Sequence, residues 1–364
     1  MLTYNINKYK IRYMSLEKNP LITIGVPVYN GEPYLKKCLD SLSNQTYQNL
    51  EFLITNNGST DKSKKIIEEY CKKDSRFKLL DRIKQGAGPA RTEQCRIAKG
   101  EYICFCDADD YLDNHFVEEM LKRNNNYDLI ICDWIKFYKN GKTELRKIEL
   151  SKNMLNEEDI KDLQKRIFGN DNPKTPMDLD LFSSLCGKLY KPSIINENNI
   201  EILSSQILGG ADDALFNIDY LEFAKTGLKI DKPLYYYYSN PKSFSHNHKI
   251  EDINKLNLQY DEFEKRANMY NKNQNYFNAI NYRIYIQSFS VFLIAINSGE
   301  SRKTQKAVIK SFINSERYKN AITNVEYNSF SPLFKPFFKF VKNGNFNRCW
   351  NYMKLANFYR RIKN

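Results

Sequence analysis

Short apolar runs alternate with amphipathic stretches across residues 21–135, and this alternation restricts the fold more than any other feature. The runs Leu21–Val26, Glu51–Thr55 and Glu101–Cys106 are typical of strands, and the stretches between them are typical of helices. Strands that alternate with helices form a parallel α/β sheet with helices on both faces. We therefore predict an open nucleotide-binding sheet whose ligand lies outside the carboxyl ends of its strands.

The rest of the chain divides by pattern into further segments. Residues 1–20 are a polar extension, and residues 136–245 continue the α/β region through a loop-rich excursion over 136–180. Residues 246–364 have a helical pattern and end in a basic, aromatic tail over 331–364. We predict one α/β domain over 21–245, with a nucleotide-binding half over 21–135, followed by a helical region.

Composition restricts the class of protein. Apolar residues make up 41% of the 364 residues, which excludes wholesale disorder, and the net charge of +13 favours a polyanionic partner. The amino terminus lacks the apolar core of a secretory signal, and no apolar run reaches the ~20 residues of a membrane span. We therefore expect a cytoplasmic protein whose eight scattered cysteines are buried thiols.

The strongest chemical signal is the run Cys106-Asp107-Ala108-Asp109-Asp110, which directly follows the apolar run at 101–106. Residues i and i+2 share a face of a strand, so Asp107 and Asp109 can present oxygens to one point. Two carboxylates beside a diphosphate suit a hard cation such as Mg²⁺ or Mn²⁺. The alternative is an acidic turn that caps the next helix.

The motifs around this run occur in an order that resembles glycosyltransferase family 2. They are Pro27-Val28-Tyr29-Asn30, Asn57-Gly-Ser-Thr-Asp61, Gly88-Pro-Ala-Arg91 and Asp107-Ala108-Asp109-Asp110. Two further motifs are similar to the acceptor half of bacterial lipooligosaccharide and capsule transferases: Cys186-Gly-Lys-Leu-Tyr190 and Gly210-Ala-Asp-Asp-Ala-Leu-Phe216. The resemblance implies a GT-A fold, which is a Rossmann-like nucleotide-binding sheet, and inverting transfer of a sugar from a UDP-sugar.

The resemblance also implies roles for individual residues. Asp213 is the expected catalytic base, with Asp212 as the alternative base and a helix N-cap as the structural alternative for Asp213. Asp109, Asp107 and His246 are expected to hold Mn²⁺ or Mg²⁺. The donor nucleotide is expected to contact Pro27, Val28, Tyr29, Asn30, Asn57, Gly88, Arg91, Asp107 and Ala108.

Asn57 stands where the family usually has an aspartate that accepts a hydrogen bond from uracil. An amide can donate as well as accept, which keeps another base possible. An enzyme that transfers phosphoryl-alditol from a CDP-alditol is therefore the alternative activity. A basic scaffold without catalysis, bound to a membrane or a nucleic acid, is the non-enzymatic alternative.

The tail over 331–364 carries eight Lys or Arg residues, no acidic residue and nine aromatic residues. Phe337, Phe338 and Trp350 alternate there with Lys335, Lys339 and other cations, a pattern that suits rings at the surface of an anionic membrane. We expect peripheral attachment to the inner face of the cell membrane, a glycan or glycolipid acceptor, and no nucleic acid. The alternative is a packed terminal helix with a solvated charged face.

Overall fold

The computed structural model describes residues 19–169, 182–240, 249–323, 325, 330, 332 and 334–363. These residues form one ten-stranded mixed sheet with helices, followed by a helical region.

The first part of the sheet is parallel, as the alternation predicts. Its elements are β1 (Ile22–Val28), α1 (Glu32–Ser43), β2 (Leu50–Asn57), α2 (Ser63–Lys73), β3 (Phe77–Arg82), α3 (Ala87–Ile97) and β4 (Tyr102–Phe105). The strand order is β3-β2-β1-β4, and each of these neighbouring pairs is parallel. Since the order reverses between β1 and β4, a crevice opens at their carboxyl ends, where such sheets bind ligands.

The second part of the sheet is mixed. It contains β5 (Tyr111–Leu112), α4 (Phe116–Leu121), β6 (Leu129–Phe137), β7 (Thr143–Arg146), β8 (Met154–Leu155), α5 (Glu157–Phe168), β9 (Lys188–Tyr190), α6 (Pro192–Glu197), α7 (Ser205–Leu208), α8 (Asp212–Phe223) and β10 (Gly227–Tyr238). The sheet continues as β4-β9-β6-β10-β5, and β9 is antiparallel to both of its neighbours. The predicted loop-rich excursion is therefore partly wrong, because it contributes β7 to β6 and β8 to β10.

The helical region follows a 3-10 turn at Ile250–Lys255. It consists of α9 (Leu256–Met269), α10 (Gln274–Asn297), α11 (Arg302–Asn314), α12 (Glu316–Thr323), α13 (Lys335–Lys342) and α14 (Phe346–Lys363). Buried ionic contacts join it to the sheet domain: Arg266 on α9 donates to both oxygens of Asp219 on α8 at 2.9 Å. Arg283 on α10 donates to the carbonyl of Phe168, at the end of α5, at 2.7 Å.

Among the described helices, α10 has the length and apolarity of a membrane span, with a mean hydropathy of 1.3 over 18 residues. That window is 61% buried inside the protein, which is the arrangement of a core helix. The prediction of buried thiols is confirmed, since all eight cysteines are free and all except Cys71 are buried.

Three aromatic rings of the tail are part of the core. Phe337, Phe338 and Trp350 are at most 2% exposed, and the ring of Phe337 packs edge-on against Phe289 and Phe292 of α10 at 5.2 and 5.3 Å. The expectation that these three rings lie at a membrane surface is wrong, because burying them against α10 removes them from the surface. The charged face remains exposed, for example at Lys339.

Candidate active site

Three acidic residues follow β4 at the crevice, and their surroundings differ. Asp107 accepts a hydrogen bond from the guanidinium of Arg91, and Asp109 accepts one from the Asn240 amide at 2.9 Å. Asp110 is 2% exposed and accepts from the Tyr235 hydroxyl at 2.5 Å and from the backbone N–H of residue 238 at 2.7 Å. Asp110 therefore ties β10 to the end of β4, a role that the sequence motif did not reveal.

Asp107 and Asp109 have the properties of cation ligands. Each has one carboxylate oxygen that accepts no hydrogen bond from the described residues. Burial raises the pKa of Asp109, and the negative charge of Asp107 raises it further. A divalent cation would relieve that repulsion, and carboxylate oxygens are the ligands that Mg²⁺ and Mn²⁺ prefer. The two residues therefore fit such an ion.

A second grouping of possible ligand atoms joins Asp107 with Asp110 and Cys186, all within 4.8 Å of one another. Burial raises the pKa of the Cys186 thiol well above its usual value. Its sulfur is a soft ligand that hard cations such as Mg²⁺ do not prefer, and both carboxylate oxygens of Asp110 already accept hydrogen bonds. Chemistry therefore favours Asp109 over Asp110 and Cys186. The predicted ligand His246 lies outside the described residues.

Asp213 faces the same crevice from the first turn of α8. The side chain is 32% exposed, with Oδ1 lying 3.6 Å from a guanidinium nitrogen of Arg91 and Oδ2 accepting from the backbone N–H of Leu185 at 3.3 Å. Burial of the carboxyl, together with the charge of Asp212, raises the pKa of Asp213 to about 7, although Arg91 opposes the shift. Asp213 is not an N-cap, because α8 begins at Asp212 and has no side-chain cap.

Asp212 has a different environment. Its side chain is buried and accepts a hydrogen bond from the Ser205 hydroxyl at 2.7 Å, which fixes α7 against the start of α8. The sequence predicted Asp213 or Asp212 as the base. Of these two residues, Asp213 is the one whose carboxyl lies beside Arg91, the arginine that also pairs with Asp107.

The predicted nucleotide contacts begin at the end of β1, where Pro27 and Val28 are the last paired residues. Tyr29 is 45% exposed, and the Lys84 ammonium lies 3.9 Å above its ring. The Asn30 side chain accepts from the backbone N–H of Thr60 at 2.8 Å, so it fixes the loop after β2. Tyr29 therefore presents an aromatic surface beside a cation at the crevice.

Asn57, at the end of β2, accepts from the backbone N–H of Gln85 at 2.8 Å through its amide oxygen. Its amide nitrogen has no hydrogen-bond partner among the described residues, which leaves it available as a donor. Gly88 has a steric role, since a Cβ there would lie 2.0 Å from the carbonyl oxygen of Leu203. Ala108, which lies between Asp107 and Asp109 in the sequence, is half-buried.

Lys188 also lies at the candidate site. It is the lysine of the motif Cys186-Gly-Lys-Leu-Tyr190, but the sequence analysis predicted no role for it. It lies on β9, its side chain is 2% exposed, and its ammonium donates to the backbone carbonyl of Ser184. Burial lowers the pKa of Lys188 to about 8, while the nearby Cys186 and Asp213 act in the opposite direction. The crevice therefore has two buried basic side chains, Lys188 and Arg91, beside the base candidate.

The chain is similar in sequence and in fold to known proteins. The family model "Glycosyl transferase family 2" matches residues 23–190. The chain is 33% identical to the putative glycosyltransferase EpsH of Bacillus subtilis over 60% of its length and 61% of that relative. It is 32% identical to the poly(ribitol-phosphate) beta-glucosyltransferase of Bacillus spizizenii over 59% of its length and 32% of that relative. The chain thus spans about three fifths of the first relative and a third of the second.

A solved structure supports the fold over nearly the whole chain. Residues 1–349 of TarS from S. aureus superpose with a TM-score of 0.57 at 18% identity, covering 92% of this chain and 91% of that one. The same protein has been solved with UDP and with UDP-GlcNAc. The predicted GT-A fold, with a helical carboxyl-terminal region, is confirmed. Through residues 23–190, this chain is similar to glycosyltransferase family 2.

Proposed function

We propose that the protein is an inverting glycosyltransferase that moves a sugar from a UDP-sugar to a hydroxyl of a bacterial surface glycan, such as a lipooligosaccharide or capsule. The observation that carries the proposal is the position of Asp107 and Asp213 on either side of one buried guanidinium. Asp107, which suits a metal-bound diphosphate, therefore lies near Asp213, which suits a general base.

Asp213 supplies the base chemistry in this proposal. The acceptor hydroxyl must lose its proton as its oxygen attacks the anomeric carbon, and a base with a pKa of about 7 works efficiently near neutral pH. Asp107 and Asp109 would hold Mn²⁺ or Mg²⁺, and the ion would supply positive charge to offset the negative charge that the diphosphate gains on leaving. Arg91 and Asn240 orient these two carboxylates from behind.

UDP is the proposed nucleotide, supported by the TarS structures with UDP and UDP-GlcNAc. Tyr29 offers a ring for the base to stack on, and the unpaired amide nitrogen of Asn57 can donate to a carbonyl of uracil. Cytosine also offers acceptors to that donor, so a CDP-alditol remains the competing donor. Support for a polymeric acceptor comes from the relative named poly(ribitol-phosphate) beta-glucosyltransferase.

We also propose that the protein is peripheral to the inner face of the membrane, through charge alone. Exposed cations such as Lys303, Lys339 and Lys354 can approach anionic headgroups while the three core rings of the tail stay buried. Flotation with vesicles should therefore depend on anionic lipid and decline with salt. Equal binding to neutral vesicles would contradict this part of the proposal.

The test of the activity is transfer by the purified chain with a panel of UDP-, CDP- and GDP-linked donors, a surface-glycan acceptor and Mn²⁺, with and without a chelator. Asp213→Asn should reduce kcat by ~10²–10⁴-fold, and Asp109→Ala should remove the dependence on metal together with most activity. Asp162→Asn, on an exposed carboxylate of α5, is the matched control. Full transfer by both site variants would refute the site, and transfer from a CDP-alditol alone would establish the competing activity.

A further inference from the structure

Among the described residues, Arg91 is the one that forms ion pairs with both Asp107 and Asp213. It lies on α3, and its side chain is 7% exposed. One terminal nitrogen of its guanidinium donates to Asp107, and the other lies 3.6 Å from Asp213. The sequence predicted this arginine as a ligand of the donor diphosphate, but the structure directs its terminal nitrogens to protein carboxylates.

The Nε–H group of the guanidinium does not serve the diphosphate either. The Nε atom is buried, and it has no hydrogen-bond partner among the described residues. The ring of Phe105 lies beneath the guanidinium, 6.0 Å from Cζ. The side chain is therefore enclosed between the end of β4 and the start of α8, and it cannot turn toward solvent without breaking both of its carboxylate contacts.

A single buried cation that serves two anions makes each anion sensitive to the other. When one carboxylate loses its charge, the arginine interacts more strongly with the anion that remains. Lys188 does not take over this role, because its ammonium donates to the Ser184 carbonyl. A cation that binds Asp107 must compete with Arg91, and the competition is weaker while Asp213 also attracts the guanidinium.

We propose that Arg91 is a positioning residue that couples the metal edge to the base, so that the charge of Asp213 strengthens binding of a metal–nucleotide complex at Asp107. The inference rests on the proposed function, since it takes Asp107 as a metal ligand. It adds a link between the metal ligand Asp107 and the base Asp213: the protein binds the metal–nucleotide complex with full affinity only while Asp213 is ionised.

The experiment is a double-mutant cycle measured by calorimetric binding of UDP with Mn²⁺ at about pH 8, without acceptor or turnover. In the otherwise wild-type protein, Asp213→Asn should weaken binding about 3- to 30-fold, the range expected of coupled neighbouring residues. In the Arg91→Gln background the same substitution should change binding by less than about 2-fold. Arg91→Lys keeps the charge but not both contacts, and it should give an intermediate effect.

The control is Arg96→Gln, the same substitution on the same helix at a side chain that is 61% exposed. In that background Asp213→Asn should weaken binding as it does in the wild type. Thermal unfolding establishes that each variant folds, and if Arg91→Gln does not fold, the Arg91→Lys cycle decides. An equal effect of Asp213→Asn with and without Arg91 would overturn the coupling alone, whereas no wild-type binding of any nucleotide with Mn²⁺ would overturn the proposed function with it.

Discussion

Asp213 leads to a specific prediction about pH. If it is the base, kcat/KM should have an acid limb with an apparent pKa near 7, because burial and the charge of Asp212 raise the pKa of this carboxyl to about 7. Only the ionised carboxyl can accept a proton from the acceptor hydroxyl. Lowering the pH protonates Asp213, so the rate must fall on the acid side.

The size of the effect follows from the titration of one group. With a pKa of about 7, roughly nine tenths of Asp213 is ionised at about pH 8 and roughly one tenth at about pH 6, so kcat/KM should fall ~10-fold between them. An ordinary aspartate, with a pKa of ~3.9, would leave the rate almost unchanged over that range. The assay is the initial rate of nucleoside diphosphate release with acceptor at constant ionic strength, with donor affinity measured in parallel.

Asp212→Asn provides the internal check. It removes the negative charge that helps to raise the pKa of Asp213, while an amide oxygen can still accept from Ser205. The acid limb should therefore move to lower pH, and Asp162→Asn should leave it in place. A flat wild-type profile, or a limb that Asp212→Asn does not move, would refute the assignment of the base.

Three further substitutions test how the site is supported. Gly88→Ala should destabilise the fold by about 1–3 kcal/mol in chemical denaturation, because its Cβ would collide with the Leu203 carbonyl; an unchanged midpoint would contradict this. Arg283→Met should cost about 1–3 kcal/mol, since the buried carbonyl of Phe168 loses its donor; equal stability would show that this contact does not hold the helical region. Trp350→Ala should cost about 3–5 kcal/mol and leave vesicle binding unchanged, and a selective loss of vesicle binding would restore the ring-insertion hypothesis.

Local signals were enough to predict several elements. The helices at Glu32–Ser43 and Glu157–Phe168 each have a recognisable start: a proline in the first turn of α1 and a capping box at Asn156 for α5. The strands β1 and β2 followed from apolar runs that are buried along all or nearly all of their length. Such signals depend on neighbours in the sequence, which is why they are readable there.

What the sequence did not reveal depends on contacts between distant segments. β9 has three residues, includes a lysine, and is a strand only because β4 and β6 flank it. The direction of the Arg91 guanidinium depends on the placement of residues 16 and 122 positions away. The rings of the tail had an amphipathic pattern that suits a membrane or a protein core equally, and only the position of α10 distinguishes the two.

The insertion of β9 has a consequence for how this enzyme family can be re-engineered. Tyr190 pairs with Ile103 of β4 on one side and with Leu129 of β6 on the other, so a strand from the second part of the chain lies between two strands that come from residues 21–137. If the residues after 135 were replaced by a segment from another protein, β9 would be lost. The edges of β4 and β6 that face it would then be unpaired inside the sheet. New acceptor preferences should therefore be sought by varying the segment at 201–211, which lies beside the base and outside every strand.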